Sequence, residues 1–249
     1  MQQQNKFREQ AKTAALDRWY RKRLKAVAKQ IAQIALEWEG TDPSQLQLSL
    51  FDYSVRLDEW ARSVADIMLR RAASADYDTW LRIGQKISRA TRRKLKDAAA
   101  GPIFNRLREE QVALIRSLPI EAAKKVQEWA ASGLSDGQRY AEIAQRIKNE
   151  LGGVTESRAI CIARTETARA RSNFTQARAQ AVGSTHYVWH TVGDNAVRPR
   201  HRELDKTVQA WSDPPICDVG AGGTPIRSHP GCVFNCRCWP EPLFYEKDK

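Results

Sequence analysis

Four of the five cysteines (Cys217, Cys232, Cys236 and Cys238) and all four histidines fall after residue 185. With His201 and His229, these thiols supply enough soft ligands for a tetrahedral zinc. Clustered Cys and His in an intracellular chain suggest metal before disulfides. The spacing argues against it. Two CxxC-type pairs are absent, and the stretch Cys236-Arg237-Cys238, taken as extended, is expected to turn one cysteine away from any shared centre. Three states stay open on the residues alone: a structural zinc, buried free thiols, and a disulfide such as Cys217–Cys232. The sequence is accordingly assigned no cofactor and no metal ligand.

Other chemistries find less support. A metal-dependent nuclease needs paired carboxylates or a His-Asn-His arrangement beside a divalent ion. Asp194, Asn195, His201 and Glu203 are the candidates, and no acidic pair recurs at a fitting place. No G-x-S-x-G or Cys/His nucleophile signature is present. Gly220, Gly222 and Gly223 lie in a Pro-flanked loop with no helix behind them, so they form no phosphate cradle. Arg164, Thr165 and Glu166 are a polar cluster that would point in three directions from a helix. A buried Arg164 or Glu166 needs a counter-ion, and Asp194 and Arg198 are the expected ones. Asp194 and Arg198 can also pair with each other across a turn. Trp189 and His190 are expected to alternate between core and surface.

The elements that must position these groups are mostly helical. The chain has 249 residues, 42% of them hydrophobic and eight of them Trp, yet its mean hydropathy is only −0.60. Long amphipathic helices with wide solvated faces reconcile those values. A helix is predicted over 5–39, ended by Gly40 and the break at Asp42-Pro43. The stretch LQLSLFDY is ambiguous. Further helices are predicted over 54–75 and 78–99, the latter stopping before Gly101-Pro102. Shorter units follow at 103–117 and 120–131. Another is capped by Ser135 or Asp136 and closed by Gly152-Gly153, and one over 156–182 is capped by Thr155. In that last helix Ile160, Ala163, Thr167, Ala170, Phe174, Ala177 and Ala181 form a small-residue stripe. Arg158, Arg164, Arg169, Arg171 and Arg178 are expected on a solvated basic face. THYVWHTV alternates as a strand, and CVFNCRCWPEPLF has room for one more.

There are 41 Lys+Arg against 29 Asp+Glu, a net charge of +12. Such a surplus suits a polyanionic neighbour such as nucleic acid. Residues 1–36 carry nine basic side chains against Glu9 and Asp17, and residues 82–96 carry seven and no acid. Arg21, Lys22, Arg23 and Lys25 in the first stretch, and Arg89, Arg92, Arg93, Lys94 and Lys96 in the second, are the candidates for non-specific phosphate contact. There is no apolar run of 18 residues and no signal-peptide pattern behind Met1, so no membrane partner is expected.

Three motifs resemble those of the phage Mu F-like head morphogenesis proteins. RAICIARTETARARSNFTQARAQAVG is similar to the family's signature helix with its Ala-Arg-Thr-Glu stretch. YVWHTVGDNAVRPRHRELDKTV resembles its strand, followed by an Asp, a Val-Arg and a His three residues on. HPGCVFNCRCWPEP is similar to its closing Asn-Cys-Arg-Cys segment. The resemblance runs from about Arg116 to Phe244 and places Arg164, Thr165, Glu166, Asp194, Arg198, His201, Asn235, Cys236, Arg237 and Cys238 on motif positions, with structural roles and no catalytic one. Two departures stand out. Asp205-Lys206 follows Leu204 where relatives often carry Gly, and Cys217 and Cys232 lie outside the shared pattern.

The expected fold is α+β: a basic helical region over residues 1–100, then a Mu F-like domain over 101–249 with helices packed on a small C-terminal sheet. The resemblance implies a minor capsid protein of a tailed bacteriophage rather than an enzyme. It would act in prohead assembly with portal, scaffold and major capsid proteins, reside in the virion interior or near the portal, and be made in the host cytoplasm. A metal-dependent nuclease or a transferase-like toxin domain is the rival reading.

Overall fold

The computed structural model describes residues 2–83 and 101–243. The chain is α+β. Its helices are α1 (Gln2–Glu37), α2 (Pro43–Arg56), α3 (Asp58–Ile83), α4 (Gly101–Ser135), α5 (Tyr140–Ala181) and the short α6 (Pro199–Glu203). The strands are β1 (His186–His190), β2 (Val208–Ala210), β3 (Ile216–Val219), β4 (Pro225–Arg227) and β5 (Trp239–Leu243). Most of the predicted 78–99 helix, with Arg89, Arg92, Arg93, Lys94 and Lys96, lies outside the described residues.

Several predicted breaks turn out to be helix-compatible. Asp42-Pro43 starts α2 rather than merely interrupting the chain: Asp42 accepts a hydrogen bond from the Ser44 amide at 2.9 Å, and Pro43 occupies the first turn, where its missing N–H costs nothing. The ambiguous LQLSLFDY is the body of that helix, burying Leu46 and Leu50. The predicted units at 103–117 and 120–131 are one helix, α4, with Pro119 inside it. An internal proline costs roughly 3 kcal/mol. The continuous buried stripe Val112, Ile115, Leu118, Ala122, Ala123 and Val126 outweighs that.

Gly152-Gly153 likewise does not end a helix, because α5 runs through it. A Cβ on Gly152 would stand 2.8 Å from Ala32 Cβ of α1. The glycine therefore permits close helix approach instead of breaking the chain. Thr155 is not an N-cap; its hydroxyl donates to the Leu151 carbonyl at 2.8 Å inside the helix.

The chain divides into two units. One comprises Asp17–Ile67 and Arg108–Ala163. Its core is helical, with Leu24, Ile31, Leu46, Leu50, Ile115, Val126, Ile147 and Leu151 buried. Tyr20 places its hydroxyl on the wholly buried Gln111, donating to Oε1 at 2.9 Å.

The other unit comprises Met1–Leu16, Met68–Leu107 and Arg164–Lys249. Its three-stranded antiparallel sheet has the order β2-β1-β5, with Val188 opposite both Val208 and Glu241. β3 and β4 form a separate two-stranded ribbon with a shift between Ile216 and Asp218. Pro240 and Pro242 are tolerated because β5 is an edge strand. Tyr187 and Trp189 of β1 point into a core shared with Trp80 of α3, Ala179 of α5, Trp211, Cys217, Cys236 and Cys238. The alternation expected at Trp189 and His190 is what the strand shows: Trp189 is buried, and His190 faces outward onto Glu241 at 2.5 Å.

Candidate functional site

The segments carrying the ten motif residues lie far apart in the chain and meet at one place in the second unit. α5 presents Arg164, Thr165 and Glu166, the turn after β1 presents Asp194, α6 carries His201, and the turn before β5 carries Asn235 to Cys238. Asn235 is the centre of the first grip. Its backbone is left-handed at φ 56°, a region Asn tolerates better than most residues. Its amide donates to Thr165 Oγ1 at 2.9 Å, and Arg164 donates to its Oδ1 at 3.1 Å. Adjacent helix residues thus hold one turn from two sides.

The expected counter-ions are corrected here. Asp194 does not pair with Arg198 or Arg164. It takes a two-pronged contact from Arg237 at 2.5 and 2.7 Å, and that guanidinium holds its carboxyl below the usual range. Arg198 instead donates to the Phe234 carbonyl at 2.8 Å and lies 3.3 Å from Asp218. Arg164 finds a neutral amide in Asn235, and the buried Glu166 has Arg169 at 3.5 Å on its own helix. Nor does Arg178 sit on a solvated face. It is buried and paired with Asp76 of α3. Sequence periodicity could not separate these arginines, because their partners lie on elements remote in the chain.

Behind the grip sits a buried Cys/His cluster. His201 Nδ1 is 3.5 Å from Cys236 Sγ and 3.4 Å from Cys238 Sγ. The three residues are 2%, 3% and 6% exposed. The expectation that one of the two cysteines turns away fails on two counts. Residues two apart in an extended chain share a side, and here the chain also bends, with the Cys236 amide bonded to the Val233 carbonyl at 3.1 Å. The Cys238 thiol beside it, with His201, pulls the Cys236 thiol down to about 4, whereas the Cys238 thiol is pushed up. Burial disfavours charge on His201, but hydrogen bonds to Cys217 and Cys236 outweigh it and lift the ring to about 9. The Trp189 ring stands edge-on to the His201 imidazole, with centroids 5.4 Å apart.

Sequence reasoning missed this contact because 35 residues separate His201 from Cys236 and no local signature spans them. Cys232 leads elsewhere, and Cys217 lies beside His201. Cys232 takes a contact from Asn173 at 3.9 Å, and burial raises its thiol to about 11. Cys217 donates to the Ile226 carbonyl at 3.6 Å. All five cysteines are free thiols, so the Cys217–Cys232 disulfide is not formed.

A cavity of about 250 Å³ opens over the cluster, lined by His201, Cys236 and Cys238 together with Val197, Arg198 and Asn235. Asp194, one of the candidate nuclease carboxylates, is tied to Arg237. Of the basic candidates on α1, Arg21 is paired with Asp17, Lys25 lies 2.7 Å from Glu156, and Arg23 stands over the Trp19 ring at 5.5 Å. Lys22 is exposed. No helix among the described residues is long and apolar enough to cross a membrane.

Residues 124–240 match the family model described as phage Mu protein F like protein. A curated relative from Haemophilus influenzae, itself described as an uncharacterized protein, is 28% identical over 217 residues. That alignment covers 87% of this chain and 43% of the relative, so the chain spans less than half the length of the curated protein it matches. No solved structure matches the chain.

Proposed function

We propose, from the match of residues 124–240 to the family model described as phage Mu protein F like protein, that the protein is a minor head protein of a tailed bacteriophage. It acts in prohead assembly with portal, scaffold and major capsid proteins, and it resides in the virion interior or near the portal. The observation that carries this reading is the interlocking of the three family motifs. Thr165 and Arg164 hold Asn235, Arg237 holds Asp194, and Arg198 holds the Phe234 carbonyl. Their donors and acceptors are spent on one another, which builds a rigid docking unit and commits the Asp194 carboxylate to Arg237.

DNA contact belongs to the same proposal in a reduced form. Charge pairing of Arg21 and Lys25 leaves a weaker basic face on α1 than the sequence count implies. Binding is therefore expected to be non-specific and salt-sensitive. The test is fractionation of lysates producing proheads, with quantitative mass spectrometry of the particle fraction. Sub-stoichiometric recovery of the chain with portal and capsid proteins supports the role, and its absence from both proheads and virions overturns it. A plasmid-nicking assay with added divalent metal addresses the rival: cleavage that disappears in His201→Ala overturns the non-enzymatic reading.

A further inference from the structure

We propose that Cys236, Cys238 and His201 form a binding site for a soft divalent ion of the zinc type, with a solvent molecule from the adjoining cavity in the fourth position. The donor geometry carries the inference. Zinc binds thiolate sulfur at about 2.3 Å and imidazole nitrogen at about 2.0–2.1 Å, so a tetrahedral centre sets its sulfur and nitrogen ligands about 3.6 Å apart. The two separations here are 3.5 and 3.4 Å, both to the same ring nitrogen, Nδ1. All three ligand atoms lie within 4.8 Å of one another. Ordinary packing of two thiols against a histidine does not require both sulfurs to converge on one nitrogen.

The surroundings fit the same assignment. The Cys238 amide lies 3.4 Å from Cys236 Sγ and donates to it, a contact that favours the thiolate needed for ligation. The Trp189 ring and the β3 cysteine, Cys217, pack beside the cluster on its core side and fix its ligands in place. The left-handed turn at Asn235 presents Cys236 and Cys238 on the same side of the chain. An ion there would join α6 to the turn before β5. The three ligands come from segments that meet only in the folded chain, so metal affinity is coupled to folding of this unit.

The test uses the full chain, purified without chelator and analysed for zinc by inductively coupled plasma mass spectrometry. The expected result is one zinc per chain, lost in Cys236→Ser/Cys238→Ser and kept in Cys161→Ser. Losing a direct ligand in either single variant should weaken zinc binding by more than the roughly 10–100-fold seen when an outer-shell partner is removed. Because the double variant can fail to fold, the unaltered protein is also stripped and titrated with cobalt(II). A thiolate-to-cobalt charge-transfer band saturating at one equivalent supports the site. Protein that carries no zinc and shows no such band overturns it, as does a folded double variant that retains its metal.

Discussion

Asp76 of α3 and Arg178 of α5 form an ion pair whose side chains are only 4% and 7% exposed, and Thr175 donates to the same carboxylate at 2.5 Å. Burial pushes the Asp76 carboxyl up, while Arg178 and Thr175 oppose that rise. A buried pair of this kind contributes little net stability while intact, but removing one partner leaves an uncompensated charge. Asp76→Ala is expected to destabilise the protein by about 3–5 kcal/mol in urea denaturation. Replacing both residues with apolar ones of similar volume should cost much less. Equal losses in the single and double variants would show that the pair does not act as a unit.

Gly231 marks where the closing segment passes over α5. Its φ is +82°, and an added Cβ would lie 3.0 Å from the Cys238 carbonyl and 3.3 Å from that of Ala168. The neighbours are backbone atoms and cannot swing away. Gly231→Ala should therefore lose roughly 2–4 kcal/mol, from left-handed strain together with overpacking. Thermal unfolding followed by near-UV circular dichroism reads this directly, and a shift of less than about 2 °C would contradict the close approach.

Lys206 has a φ of 64° and donates its amide to the Trp189 carbonyl at 2.7 Å. Lys206→Gly relieves left-handed strain of about 1–2 kcal/mol but loosens the unfolded chain by about 0.4–1 kcal/mol. The expected outcome is a stability gain of up to about 1 kcal/mol in urea denaturation. A clear loss would mean the side chain makes an unrecognised contribution.

His229 gives a pH dependence with a defined direction. Burial lowers its pKa, and the ring packs against Tyr187 and Trp211, with Nδ1 3.1 Å from the Tyr187 hydroxyl. The folded value lies below the unfolded value of about 6.5, so between the two the unfolded chain holds more protons. This contribution to stability is present above about pH 6.5 and is lost as pH falls through the folded pKa. Melting temperatures between about pH 8 and 5 should fall more steeply for the unaltered protein than for His229→Gln. Parallel curves would remove His229 as the cause.

The elements that were legible in the sequence are those whose periodicity is unbroken. The helix of α1, the alternation that buries Tyr187 and Trp189, and the middle of the small-residue stripe of α5 (Ala163, Thr167, Ala170 and Phe174) follow from spacing, whereas Ile160 and Ala177 are half-buried and Ala181 is exposed. Helix ends are misplaced where a Gly or Pro interrupts the pattern without interrupting the helix. Gly152 serves Ala32 of another helix, and Pro119 is carried by the buried stripe around it. The arginines of α5 look alike in sequence, yet Arg178 is buried against Asp76, Arg158 meets Glu121 and Arg164 meets Asn235. Partner identity depends on contacts across 37 to 102 residues, which periodicity does not encode. The same distance hid the convergence of Cys236, Cys238 and His201.

Trp80, at the end of α3, has a consequence for anyone cutting the gene. It is wholly enclosed by side chains from the far end of the chain, yet it precedes the recognisable segment, 124–240, by more than forty residues. A fragment trimmed to that segment would lose the indole and Asp76 together, leaving a hollow beneath Tyr187 and Trp189 and a stranded Arg178. The segment that matches the family model is smaller than the portion that must be inherited intact.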